Sequence, residues 1–269
     1  MGVVVPNYLE LGHALITMVE PEAASVVDYN RWYERDHFLS GVLAGPGAYA
    51  GRRWVATRSL KAVRFPHDSP IAQPVAQGSF IATYWIERDQ LASHCAWGFP
   101  EAARLASLGR MRSDRNHVST SYYDLAGVHG RGEQPVPPEL ALQHPYRGLV
   151  MVWTQAPTED ASESHDAWAD TFRRELTISG SPIGQIVSFR PIDLPAPLPK
   201  MPGVIIGDDR TRDVLAHCCF VDADLAASWM QTSTLLRTAL ARSNSVVALL
   251  VAPFVPAVTG TDMYLDQLW

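Results

Sequence analysis

One order of elements, read twice at a constant spacing, constrains this chain more than any other feature. From His13 to Leu125 the apolar pattern runs strand, helix, strand, strand, helix, strand, and from Arg147 to Val255 the same order returns. With an offset of 136 residues, Trp32 falls on Trp168, Tyr29 on His165 and Pro46 on Pro182, with no gap between them. The strand segments are short runs rich in β-branched and aromatic residues: HALITMVE from His13, YAGRRWVATR from Tyr49, SFIATYWIE from Ser79 and HVSTSYYDL from His117. A β-α-β-β-α-β order is the ferredoxin-like arrangement. Its antiparallel sheet carries helices on one face, and the other face is apolar and must be covered. The expected fold class is α+β: two tandem ferredoxin-like units whose antiparallel sheets face each other as an α/β barrel. Residues 1–128 form the first, site-bearing unit, 129–145 a Gly- and Pro-rich linker, and 146–269 a degenerate second unit. Residues 1–12 read as a leader.

The first helix carries the most chemistry. Ser25 is placed to cap it, with Asp28 three residues on. It runs to about Leu43 and stops at Gly45-Pro46-Gly47. Tyr29, Tyr33 and His37 recur at i, i+4 and i+8 and share one face, with Trp32 and Asp36 in the adjoining row. Such a face is either a core face with polar handles or one wall of a pocket. The stretch Leu60 to Gly78 reads as a long loop, and long loops in compact domains are commonly functional or mobile. The second helix, Gln90 to Leu108, contains Gly98 and Pro100, and a kink is expected there. In the second half, Ser162 or Ser164 opens a helix to Ile178, and Asp224 to Arg242 forms another, acidic at its start and basic at its end.

Composition excludes several classes. With 28 acidic against 22 basic residues and no basic run, nucleic acid and anionic membrane are poor partners. Three cysteines, two of them adjacent, make no disulfide framework and no cysteine-rich zinc site. No secretory signal pattern and no membrane-length apolar run is found, which predicts a cytoplasmic protein. P-loop, GxGxxG, HExxH and GxSxG motifs are all missing.

The run YNRWYERDH, the GPG stop and the GRRW of the following strand resemble the EthD-like branch of the dimeric α/β-barrel superfamily. Those proteins carry a W-Y-x-x-x-H-like helix after their first strand, here Trp32, Tyr33 and His37. The resemblance is good over 13–125 and weak over 147–255. It implies a ligand cavity between sheet and helices, often with a His or Tyr transferring protons. The superfamily includes polyketide cyclases, cofactor-independent monooxygenases, small-molecule isomerases and lyases, and haem-handling proteins, so membership leaves the reaction open.

On this basis His37 is the expected general acid/base, since an imidazole titrates near neutrality. Tyr33 and Tyr29 are expected beside it to polarise an oxygen. The equivalent second-half positions are Arg173, Ala169 and His165. Trp32, Asp36, Arg53, Tyr84, Trp85, His117 and Tyr122 are the expected substrate-binding residues. Alternation along strands sends Arg52 and Arg53 to opposite faces, and likewise Tyr84 and Trp85, and Tyr122 and Tyr123. A buried arginine there needs an anionic partner, either Asp36 or a substrate carboxylate or phenolate. The run His217-Cys218-Cys219 cannot place three ligands on one metal from a straight strand, so no metal site is expected. The reading is a cofactor-independent lyase, isomerase or cyclase acting on a small aromatic or polyketide-like molecule, with a homodimer open. The alternative is a non-catalytic small-ligand or haem-binding module. A cofactor-free monooxygenase is the further alternative.

Overall fold

The computed structural model of the chain describes residues 8–156, 162–192, 213–242 and 246–269. The strands are β1 (Leu11–Pro21), β2 (Ala48–Val55), β3 (Phe80–Glu87), β4 (Arg115–Gly130), β5 (Gly148–Gln155), β6 (Ile183–Pro191), β7 (Val214–Val221) and β8 (Val247–Pro256). The helices are α1 (Val26–Trp32, continued by wider turns over Tyr33–His37 and Leu39–Leu43), α2 (Arg58–Ala62), α3 (Leu91–Ser107), α4 (Ser162–Leu176) and α5 (Leu225–Ala241).

The strands close into one antiparallel barrel in the order β1-β3-β2-β8-β5-β7-β6-β4. Read around the ring, β4-β1-β3-β2 is followed by β8-β5-β7-β6, so the second set of four repeats the order of the first. The joins between the sets are unequal. β2 meets β8 only at Trp54↔Pro256 and Val55↔Val255, whereas β4 pairs with β6 from Tyr123↔Pro191 to Gly130↔Gln185.

Side chains alternate across each strand, so every strand feeds two cores. One is the barrel interior, where Trp54 meets Phe220 at 6.0 Å and Trp85 meets Phe189 at 5.1 Å. Trp153, Met151, Cys218 and Phe254 complete this interior, all of it shielded from solvent. The other core is the layer between the sheet and its covering helices. In the first half that layer holds Tyr29, Tyr33, Phe80, Tyr84 and Val42.

Several sequence expectations need correction. Ser25 makes no capping bond to the helix; its hydroxyl turns back to the Glu22 carbonyl. Residues 58–62 form α2 and do not extend β2. α3 continues through Pro100 as one element. β4 runs on to Gly130, past the point where the linker was expected, because it pairs with β6 to close the barrel. The 60–78 loop is fastened at Arg64, a buried guanidinium donating to the carbonyls of Val75, Gln77 and Gly78. The expected leader lies partly outside the described residues, as do the side chains of Ser162 and Ser164. Among the described residues no helix is long and apolar enough to cross a membrane.

Candidate functional site

The first-half layer is built as the helical spacing demands. Tyr29, Tyr33 and His37 lie on the face of α1 turned to the sheet. The Tyr33 and Tyr84 hydroxyls share a hydrogen bond of 2.9 Å. Burial raises both phenols, and that of Tyr29 as well. They are neutral hydroxyls at any working pH. Trp32 stacks on His37 at 4.7 Å and donates its indole N–H to the Arg110 carbonyl.

Arg53 points into this layer and Arg52 points away from it. Arg53 Nη1 donates to Asn30 Oδ1 at 2.8 Å and to Glu34 Oε1 at 3.0 Å, and its guanidinium lies over the rings of Tyr33 and Phe80. The pair with Glu34 is buried on both sides. Asp36, expected to pair with Arg52 or Arg53, instead joins Arg110 and Ser40, which hold its carboxyl down at about 2. The reason is helical geometry: Glu34 lies on the inward side of α1, and Asp36 toward the α3–β4 corner. Arg52 donates to the carbonyls of His144 and Tyr146 and stacks on Trp54.

The other expected residues separate by parity. Tyr84 and Tyr122 face the helices. Trp85 lies in the barrel interior with its indole N–H on the Pro138 carbonyl, and so belongs to a different core. His117 stands beside His37, close enough for its charge to act on that ring. It accepts from Arg115 Nε at 3.2 Å and contacts Thr120 Oγ1 at 2.9 Å.

His37 is set up poorly for proton transfer. Burial first, and the nearby Arg115 and His117 charges second, push it down to about 3, against the opposing pull of Asp36. Its Nδ1 is buried without a partner. A Cβ added to Gly41 would lie 2.6 Å from that nitrogen, so the main chain of α1 already stands against it.

The second half holds a polar cluster that sequence reading did not assemble. His165 on α4 contacts Thr154 Oγ1 on β5 at 3.0 Å through Nε2. The same hydroxyl contacts His217 Nε2 on β7 at 3.0 Å, and His217 Nδ1 meets Ser188 Oγ on β6 at 2.8 Å. All four side chains are fully buried. Burial holds both imidazoles neutral, with Arg190 acting further on His165 and Arg173 on His217. His165 Nδ1 has no partner in hydrogen-bond geometry, although the neighbouring Asp213 backbone pulls on the ring. Arg173, two turns further along α4, is also buried and leaves Nε unpartnered. Its guanidinium rests on Gly127 of β4, where any Cβ would intrude at 2.6 Å. The one sequence signal for this cluster is the offset of 136, which puts His165 and Arg173 on the row held by Tyr29 and His37.

No protein-family model and no curated protein sequence matches the chain. Solved structures do resemble it. One provisionally named a chlorite dismutase is 14% identical, covers 97% of this chain and 100% of its own, and superposes with a TM-score of 0.51. A variant of Rhodococcus jostii RHA1 DypB in complex with haem is 13% identical, with 99% and 97% coverage and a TM-score of 0.49. A protein named as a monooxygenase from Lactobacillus acidophilus NCFM is 9% identical, with 92% and 94% coverage and a TM-score of 0.47. At such identities the likeness fixes the fold, a dimeric α+β barrel of the ferredoxin-like kind. The expectation of a cofactor-independent lyase, isomerase or cyclase driven by His37 is overturned. The fold is shared with a structure that carries the chlorite dismutase name, and the imidazole assigned to proton transfer is pushed far below neutrality.

Proposed function

We propose that the chain is a small-ligand-binding module of the α+β-barrel class, with its ligand held in the second half and haem the first ligand to test. The observation that carries this reading is the buried polar row on one face of α4: Arg173 Nε is buried without a partner, and His165 Nδ1 has only the Asp213 backbone beside it, outside good hydrogen-bond geometry. Buried polar groups are almost always hydrogen-bonded, and each one left bare costs about 1–3 kcal/mol. A bare Arg173 Nε and a poorly held His165 Nδ1 on one helix face therefore point to a missing partner.

The donor chemistry suits haem at only one of the three histidines His37, His165 and His217. His37 is blocked by the Gly41 main chain. His217 has both nitrogens engaged. His165 has Nε2 on Thr154 and Nδ1 held only loosely by the Asp213 backbone, and an imidazole whose second nitrogen is oriented by a hydrogen bond suits a metal once that loose contact gives way. Arg173 is a buried guanidinium that pairs with Asp170 at 3.5 Å through Nη2 and leaves Nε for a second carboxylate. Bound haem would supply redox and gas-ligand chemistry at its iron. The protein's part is to present His165, fix its tautomer through Thr154 and His217, and neutralise the anionic edge with Arg173.

The repeat of strand order around the barrel supports reading the chain as two tandem ferredoxin-like units, divided after β4 near residue 130. The Trp32-Tyr33-His37 helix supports placing the first unit near the EthD-like branch. On this reading the partner is a small molecule and not a nucleic acid.

The test is haem titration of the purified protein, followed at the Soret band, for the wild type and for His165→Leu and Arg173→Met. A shifted, saturable band that His165→Leu abolishes and Arg173→Met weakens is the expected result. No band change in the wild type, or an unchanged band in His165→Leu, overturns the proposal.

A further inference from the structure

Residues 257–269 follow the last strand of the second half, yet they lie across the first. The Ala257 amide donates to the Arg53 carbonyl, and the Gly260 amide to Glu34 Oε2 at 2.8 Å. Asn30 Nδ2 donates to the Thr261 carbonyl at 3.0 Å, and Arg31 pairs with Asp262 at 2.6 Å. At its end, Trp269 donates its indole N–H to Glu20 Oε1 at 3.1 Å and lies under Lys61 Nζ. Between these ties, Leu265 and Leu268 enter the same apolar layer as Tyr29, Tyr33, Phe80 and Tyr84.

Two of the residues that grip this segment, Asn30 and Glu34, also occupy Arg53. Arg53 is nine-tenths buried and still has Nη2 without a partner. The Tyr33–Tyr84 hydroxyl pair has two hydrogens and one mutual bond, and among the described residues no other acceptor takes the second hydrogen. A guanidinium edge, a spare phenolic donor and flanking aromatic rings thus share one layer.

We infer that this layer is a latent site for an aromatic carboxylate, plugged by the chain's own residues 257–269. Leu265 and Leu268 stand where the ring of the ligand would go, and Glu34 stands where its carboxylate would go. When the segment lifts, Glu34 loses its hold on the Gly260 amide and can turn to solvent. The ligand carboxylate then takes Nη1 and Nη2 together, the two-pronged geometry that a guanidinium favours. The charge count on Arg53 is unchanged, since one carboxylate replaces another. An apolar cavity of roughly 150 Å³ already accepts a benzene ring, so the space of two leucine side chains is of the right order. This site is separate from the second-half haem reading, and its test touches neither His165 nor Arg173.

The probe is benzoate. The doubly substituted full chain Asp262→Ala, Trp269→Ala removes two of the strap's ties, to Arg31 and to Glu20, without entering the layer. Isothermal titration should show it binding benzoate at least about tenfold tighter than the wild type, because a site closed most of the time binds weakly in proportion to its open fraction. Adding Arg53→Lys, which keeps the charge and removes the fork, should erase that gain. Should the loosened variant lose its circular dichroism, the wild type alone decides: saturating benzoate must speed hydrogen exchange at the Gly260 amide several-fold. Equal benzoate affinity in the wild type and a folded loosened variant, a gain that survives Arg53→Lys, or unaltered Gly260 exchange overturns the inference.

Discussion

Acidifying the protein from about pH 7.5 to about pH 5 should cost it about 2 kcal/mol at His37 alone. In the unfolded chain the imidazole has its ordinary value of 6.5, whereas in the fold burial and the Arg115 and His117 charges bring it down to about 3. The unfolded state therefore binds the proton first. Stability from this group is complete above 6.5 and drains away as the pH falls through the window from 6.5 to about 3. At about pH 5 the unfolded chain lies roughly 1.5 pH units into its titration while the folded ring is still neutral, and each unit is worth about 1.4 kcal/mol. The control is His37→Phe, which keeps an aromatic ring against Trp32 and Tyr33 and removes the titration. Urea unfolding of both proteins across this range gives the answer. The wild type should lose about 2 kcal/mol more than the variant, and the losses from His117, His165 and His217 should be common to both. Parallel curves for the two proteins would show that His37 is already wet and titrating normally in the fold, and the account of its burial would fail.

Three further outcomes follow from single contacts. Gly41→Ala should push the His37 ring off Trp32 and lower stability by about 1–2 kcal/mol after the helix-propensity gain, read as a lower urea midpoint with altered tryptophan emission. Glu34→Ala should cost about 3–5 kcal/mol because it strands the buried Arg53, whereas Asp36→Ala, which frees the partly exposed Arg110, should cost no more than about 1 kcal/mol; a reversal of that order in thermal unfolding would count against the assignment of the two pairs. Thr154→Val should cost about 2 kcal/mol or more by leaving facing nitrogens of His165 and His217 without a partner, and a neutral effect on the denaturation midpoint would mean the relay is not formed.

Much of the architecture was legible because it rests on short-range periodicity. The alternation in SFIATYWIE and HVSTSYYDL marks strands wherever they end up, and the i, i+4, i+8 row of α1 follows from helical pitch alone. Parity within a strand was legible as well, but its direction was not. That Tyr84 meets Tyr33 while Trp85 enters the barrel depends on the register Leu15↔Tyr84 and Ala14↔Trp85, set by pairing between distant strands. Partners across long separations were invisible for the same reason. Asp36 found Arg110 and Glu34 found Arg53, and no local pattern distinguishes those choices. The segment 257–269 shows no periodicity, and its ties to Asn30, Arg31 and Glu34 span most of the chain. His165 and His217 each read alone as an ordinary core histidine; only β5 between them, through Thr154, makes them one unit.

The two halves use the same row of a helix in opposite ways, and that contrast locates the chemistry better than any single residue. In α1 the row is Tyr29, Tyr33 and His37, and Tyr84 closes against it from β3. Large rings fill the space between helix and sheet, the one imidazole is held neutral, and the lone guanidinium is already occupied by Glu34 and Asn30. In α4 the equivalent row is His165, Ala169 and Arg173, and the strands beneath offer His217, Thr154 and Ser188. The middle ring is replaced by a methyl group, and the flanking positions become polar groups that the protein satisfies only in part: His165 through Thr154, Arg173 through Asp170. Both layers bury a guanidinium with one bare nitrogen, Arg53 Nη2 against α1 and Arg173 Nε on α4, and each bare group costs stability unless something completes it. On the proposed reading, a ligand completes the layer at α4. The richer aromatic motif of the first half, the more conspicuous in sequence, is by the same reasoning the half that its own chain has closed.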